Sequence, residues 1–432
     1  MMPSRCSAIM APETDTMHSD PPALPGDAAA PKRPLRIAIA ADELFGRVRG
    51  GGGQGRVITN LIRQLAALDH HNHYTLFAAR PIREIPPALS ELPPNFSWLQ
   101  LPCRPREWLY FAWHLARRPL LERFAGPLDV VHATSTSAVP AVHRARLVVT
   151  VHDLVWWRYP KGLNWAGRFV HRSGLRIAVR EGARLAAVSE FTRSEVLAYF
   201  GGRLPPDRVT VIPNGIDPDF GQTGAPSAAP PQERFGLTGP YLLTVGTVEP
   251  RKNLRRLVEA YGRLPESLRQ DHPLVIVGPK GWKVDTADAA FTEPVPGRIV
   301  WTGYLADTDL RTLLEGASLF VYPSLYEGFG LPILEAMQCG IPVVTSRTAA
   351  MPEVAGNAAL LIDPLDPADL AAAMIRVLTD TKLARCCAKR GFERATLFSI
   401  TAISVEYFTL YLQARLSRAM EKLQSVHTSR VC

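Results

Sequence analysis

Along residues 35–218, short apolar runs alternate with stretches whose apolar residues recur every three or four positions. The runs at 35–40, 74–78, 96–99, 128–132, 147–152, 184–188 and 209–212 read as strands, and the 147–152 run is a continuous apolar one, as a strand buried on both faces requires. Residues 57–65 carry the helical spacing expected after the first run. Residues 219–234, rich in Gly, Ala and Pro, break the pattern and read as a linker. A second series follows, with runs at 241–246, 274–277, 299–302, 318–322, 342–344 and 359–363. Helical stretches in this series start near Leu254, Leu310, Pro332 and Pro367. Strands alternating with helices at this spacing predict parallel α/β sheets. A chain of 432 residues is too long for one simple core, so two domains are expected. Residues 1–33 show no periodicity and read as a disordered tail, and helices over 383–413 close the ordered chain.

The stretch 322–344 concentrates the candidate chemistry. Glu327-Gly328-Phe329-Gly330 is a glycine turn, Pro332 suits a helix start, and Gly340 suits its end. Strand, glycine turn and helix aim free N–H groups and a positive dipole end at an anion. Glu327 and Glu335 bracket this site, and a carboxylate can accept two hydrogen bonds from a vicinal diol. Arg251 and Lys252 stand in a loop after the 241–246 strand, where a phosphate would meet the next helix. His152 and Asp153 end the 147–152 strand, and parallel sheets place ligands at that end. His132 ends the 128–132 strand and is expected at a site edge. The glycine loop 50–55 between the first strand and helix is a phosphate or sugar approach device, without dinucleotide-fingerprint spacing. Asp217/Asp219 and Asp307/Asp309 have Asp-x-Asp spacing. Both pairs sit in turn or capping contexts, and Asp307 is expected to cap the helix from Leu310.

Composition narrows the picture. The net charge of +9 admits anionic partners. No basic run is interleaved with aromatics as a nucleic-acid stacking platform would be, so nucleic acid is not expected. Cys6, Cys103, Cys339, Cys386, Cys387 and Cys432 show no metal-ligand spacing, which suits a reducing compartment. Neither a transmembrane run nor a secretory signal pattern is present. Segment 104–124 mixes arginines with Trp108, Leu109, Tyr110, Phe111 and Trp113. It reads either as a core helix with a basic outer face or as a basic-aromatic helix resting on an anionic membrane.

In order, the glycine loop 50–55, Val151-His152-Asp153-Leu154, Val188-Ser189-Glu190-Phe191-Thr192 and Ile212-Pro213-Asn214-Gly215-Ile216-Asp217 come first. Gly246-Thr247-Val248-Glu249-Pro250-Arg251-Lys252-Asn253, Gly303-Tyr304 and the 322–344 block follow. Together these blocks resemble the retaining nucleotide-sugar glycosyltransferases of family four, over about residues 35–415. The resemblance implies a GT-B α/β fold, with two Rossmann-like domains whose parallel sheets face an interdomain cleft. The acceptor domain would span 34–218 and the nucleotide-sugar domain 235–397. A helix at 398–418 would cross back to the first domain, and 419–432 would form a flexible tail.

The resemblance also implies residue roles. Glu335 would bind the donor ribose and Glu327 the transferred hexose. Lys252 and Arg251 would neutralise the departing diphosphate. His152 would lie near the hexose, with Gly53 and Gly55 approaching the phosphate. Gly246 would line the donor site, and backbone N–H groups around Phe329, Gly330 and Leu331 would hold the diphosphate or sugar. The implied reaction moves a hexose with retention to a glycan or lipid-linked saccharide, without metal or other cofactor. GDP-mannose is the favoured donor, against UDP-glucose or dTDP-rhamnose. A cytoplasmic location is implied, with peripheral contact at the inner face of an anionic membrane. A sugar-nucleotide epimerase or a non-catalytic nucleotide-sugar binding protein are the alternatives from other classes.

Overall fold

A computed structural model describes residues 33–45, 52–82, 84–102, 106–222, 229–279 and 297–428, without the side chains of 106–107 and 417–428. Residues 1–32 of the expected tail, Gly50 and Gly51 of the glycine loop, and 223–228 of the expected linker lie outside the described residues.

Among the described residues, the first sheet takes β1 (Arg36–Ala40), β2 (His73–Ala78), β3 (Phe96–Gln100), β4 (Val130–Ala133), β5 (Arg146–Val151), β6 (Arg184–Ala187) and β7 (Val209–Val211). The second takes β8 (Leu242–Val245), β9 (Leu274–Val277), β10 (Ile299–Gly303), β11 (Leu319–Tyr322), β12 (Val343–Ser346) and β13 (Leu360–Ile362). Their spatial orders are β3-β2-β1-β4-β5-β6-β7 and β10-β9-β8-β11-β12-β13, and every pairing is parallel. Order reverses beside β1 in one sheet and beside β8 in the other. These are the switch points outside whose carboxyl ends doubly wound sheets bind ligands. Continuous aliphatic strands such as Leu274–Val277 are buried throughout, because helices cover both faces.

The helix Ile400–Thr428 returns to the first sheet. Its Ile403, Tyr407, Phe408 and Tyr411 are buried in one cluster with Ile37 and Ile39 of β1 and Val148 of β5. His132 belongs to this junction and not to a site edge, which corrects the expectation for the 128–132 run. Its Nδ1 meets the Tyr411 hydroxyl and its Nε2 the Thr150 hydroxyl, both at 2.8 Å. Burial lowers its pKa to about 3, so the ring is neutral and serves as a polar lock beneath the crossing helix.

Several sequence blocks tie the two halves together. Ser189 caps the helix Glu190–Phe200 by accepting from Thr192 N, and its own hydroxyl donates to Gly328 O at 2.6 Å. Thr192 donates to the same carbonyl at 3.0 Å. Glu353, from the far half, accepts from the N–H groups of Glu190 and Phe191 at 2.7 and 3.0 Å, a carboxylate at a helix N-terminus. Ile216 N donates to Phe398 O at 3.0 Å. The 188–192 and 212–217 blocks are therefore interdomain struts.

Candidate functional site

The cleft lies at the carboxyl ends of both sheets and encloses about 410 Å³. The first half contributes Gly52, Gly53, Gln54, Arg56, His152 and Asp153; the second contributes Gly246, Arg251, Lys252, Tyr304, Tyr322 and residues Glu327 to Pro332.

The helix Leu331–Gln338 begins where β11 ends. Gly330, at its N-cap, has φ 111°, which a side chain would strain, and Pro332 occupies the first turn, where no N–H partner is lost. Gly328 is required for a different reason. A Cβ there would come within 1.7 Å of His152 O in the opposite half. The glycine turn is thus pressed against the end of β5, which places Glu327 opposite His152 and Asp153.

Glu327 is the hub of the polar cluster. Its Oε1 accepts from Lys252 Nζ at 2.6 Å and its Oε2 from Arg251 Nη1 at 2.7 Å. Arg251 Nε also meets Glu249 at 2.6 Å, and Lys252 Nζ donates to the Tyr322 hydroxyl at 2.7 Å. Both cations come from the turn Pro250–Lys252, which Asn253 closes with φ 60° and side-chain bonds to Pro323 O and Pro364 O. Gly246 lets the lysine stem pass: a Cβ there would meet Lys252 Cε at 3.2 Å. Burial pushes the Glu327 carboxyl up, but Arg251 and Lys252 outweigh it and bring it from 4.5 to about 2. Burial lowers the Lys252 ammonium, which Glu327 only partly offsets, while Arg251 is held above its ordinary value by Glu327 and Glu249 despite its burial.

A depressed carboxylate contributes stability that is complete above its unfolded pKa and disappears as pH falls through the folded one. Stability is therefore expected to fall between about pH 4.5 and 2 in the wild type, and this loss is expected to shrink in Glu327→Gln. Chemical denaturation across that range would show it, and superimposable pH profiles would refute it.

His152 donates from Nε2 to Thr134 O at 2.9 Å, and burial lowers its pKa, so the neutral ring leaves Nδ1 as an acceptor. Phe329 and Leu331 line the cleft. Gly53 lines it too, yet from within the helix Gly52–Leu68 and not from a loop. Gly55 is buried on that helix, away from the cleft lining, a correction to its expected approach to phosphate. Glu335 is also set back. It is 3% exposed, and the Arg56 side chain reaches it at 2.8 Å from the opposite half. Asp307 does not cap a helix from Leu310; the helix starts at Asp307 itself, and its carboxylate pairs with Arg56. Asp217 pairs with Arg63, and Asp309 with Arg234.

Sequence reasoning named neither Arg56 nor Tyr322 as a site residue. Arg56 follows the glycine run inside a helix start, so its position was visible, but its partners are 251 and 279 residues away. Segment 104–124 forms the helix Arg106–Leu115, with Leu109 and Trp113 buried and Trp108 and Leu115 each 70% exposed. On the same helix face, Phe111 packs its ring 5.9 Å from exposed Trp165.

Comparisons with known proteins give the family and the fold. The profile described as "Glycosyl transferases group 1" matches residues 228–394, and "Glycosyltransferase Family 4" matches residues 51–220. The chain is 36% identical to O-antigen chain mannosyltransferase B of Escherichia coli over 59% of its own length and 67% of that protein. It is 32% identical over 57% of its length to the serotype-specific mannosyltransferase WbdA of Escherichia coli, of which it spans 31%. Sucrose-phosphate synthase from Thermosynechococcus elongatus shares the fold, with a TM-score of 0.71 at 24% identity over 89% of this chain and 100% of that one.

Proposed function

Because the chain belongs to family four of the glycosyltransferases, with the GT-B architecture of two Rossmann-like domains, we propose that it transfers mannose from GDP-mannose to a glycan or lipid-linked saccharide, with retention. The observation that carries the reading is the Lys252–Glu327–Arg251 cluster, buried against the start of the helix Leu331–Gln338. Mannosyl transfer is favoured by the two mannosyltransferase relatives.

The chemistry follows from charge. As the bond between hexose and diphosphate breaks, negative charge grows on the leaving phosphate. In this reading Lys252, Arg251 and the N–H groups at the start of the helix Leu331–Gln338 surround it before the bond breaks, so little reorganisation accompanies the step. Glu327 holds both cations in register before the donor arrives and offers its oxygens to hexose hydroxyls afterwards. Glu335 takes the ribose diol. His152, with Nδ1 open as an acceptor, receives a hydroxyl of the hexose. The departing phosphate, on the same face as the incoming hydroxyl, takes the acceptor proton, which gives retention without a covalent enzyme intermediate.

The test is incubation with radiolabelled GDP-mannose, UDP-glucose and dTDP-rhamnose, with and without a bacterial lipid-saccharide extract. Label is expected in the extract from GDP-mannose alone. Transfer from another donor would overturn the sugar assignment, and donor epimerised without acceptor would overturn transfer itself.

We also propose that Trp108, Phe111, Leu115 and Trp165 rest on an anionic membrane, since contiguous aromatic surface suits the interface. Flotation with phosphatidylglycerol vesicles at low salt is expected, and loss of it in Trp108→Ala/Trp165→Ala. No flotation of the wild type would remove this proposal.

A further inference from the structure

We propose that Arg56 is a positioning residue for the donor ribose: it fixes Glu335 through one carboxylate oxygen and leaves the other for the ribose diol. This rests on the assignment of Glu335 to the ribose. Glu335 Oε1 accepts from Arg56 Nη2 at 2.8 Å. Glu335 Oε2 is buried and has no hydrogen-bond partner. A buried carboxylate oxygen with nothing to accept from is costly, and a ligand hydroxyl is the group that would satisfy it. The second arm of the guanidinium, Nη1, bonds Asp307 Oδ1 at 2.9 Å, and the carbon between the arms lies 5.3 Å from the centre of the Phe220 ring. A planar fork held by two acids and an aromatic ring has one orientation, so it sets the orientation of the carboxylate it grips. Burial holds the Glu335 carboxyl above its ordinary value; Arg56 opposes that rise and Asp307 adds to it.

The arginine comes from the helix Gly52–Leu68 of the first half, while Glu335 and Asp307 belong to the second. Ribose recognition by one domain therefore depends on the other being in place. Asp307 touches the system from its outer end, with 42% of its side chain exposed, where it grips Arg56 and also repels the Glu335 carboxylate directly.

Calorimetric titration of the full chain with GDP and UDP, and with their 2′,3′-dideoxy counterparts, tests this. The wild type is expected to prefer the diol form of the nucleotide it binds by about tenfold or more, the worth of hydrogen bonds to a charged group. Arg56→Ala is expected to bring that preference close to one, with affinity for the dideoxy form changed by less than about threefold. Asp307→Ala is expected to reduce the preference in part, and it carries the comparison if Arg56→Ala does not fold. A wild-type preference retained in both variants would overturn the proposal while leaving the Glu335 assignment standing. Tighter diol binding by Arg56→Ala would overturn it too, by showing that the guanidinium occupies the ribose position. No diol preference in the wild type, or no binding of either nucleotide, would instead fail the assignment on which the proposal rests, and the proposal with it.

Discussion

Replacing Lys252 by alanine is expected to lower turnover by about 100- to 1000-fold, the usual consequence of removing one preorganised group from a site of developing charge. The effect should fall on kcat more than on donor KM, because an ammonium beside the diphosphate gains most as the leaving group acquires its charge. The fold should survive. Glu327 keeps its bond to Arg251 Nη1, so the substitution leaves no unpaired buried carboxylate behind. Steady-state kinetics and thermal unfolding separate the outcomes. A variant that is folded and turns over within a few-fold of the wild type would remove Lys252 from the leaving-group role. A variant whose KM rises while kcat stays constant would make it a ground-state ligand of the donor.

Gly328→Ala is expected to cost about 100-fold or more in turnover, although it adds only a methyl group outside the polar cluster. The new Cβ would meet His152 O at 1.7 Å and Asp153 Cβ at 2.9 Å, so the glycine turn and the end of β5 must separate. The hydroxyls of Ser189 and Thr192, which both donate to Gly328 O, would lose their shared acceptor. Each domain keeps its own core, so unfolding should shift little compared with activity. The informative comparison is with Lys252→Ala: one variant removes a charge from an intact cleft, the other leaves the charges and widens the cleft. Wild-type turnover in Gly328→Ala would show that the observed closeness of the halves is not needed for the reaction.

The two sheets were legible because continuous aliphatic runs between helical stretches admit few other arrangements. The 322–344 block was legible because its glycines and proline mark a strand, a turn and a helix start. The gathering of Glu327 with Arg251 and Lys252 was expected only as membership of one cleft; that they form one ion cluster depends on distances between segments about 75 residues apart. Glu335 was expected to face the cleft, and that one of its oxygens is gripped by Arg56 was not legible, since spacing along a helix says nothing of what another domain lays beside it. His132 was misplaced because its run ends as a site strand should, yet its side chain faces the crossing helix. Gly55 was misplaced because the helix starts at Gly52, earlier than apolar periodicity reveals when glycines fill its first turn.

The helix Ile400–Thr428 lays Ile403, Tyr407, Phe408 and Tyr411 over strands of the first sheet. Order of synthesis and order of completion therefore part company. While the whole second half is being made, Ile37, Ile39 and Val148 wait for a cover that leaves the ribosome only after it. The half translated earlier is finished after the later one, and a nascent chain halted after the second sheet carries an open apolar face that the crossing helix otherwise covers.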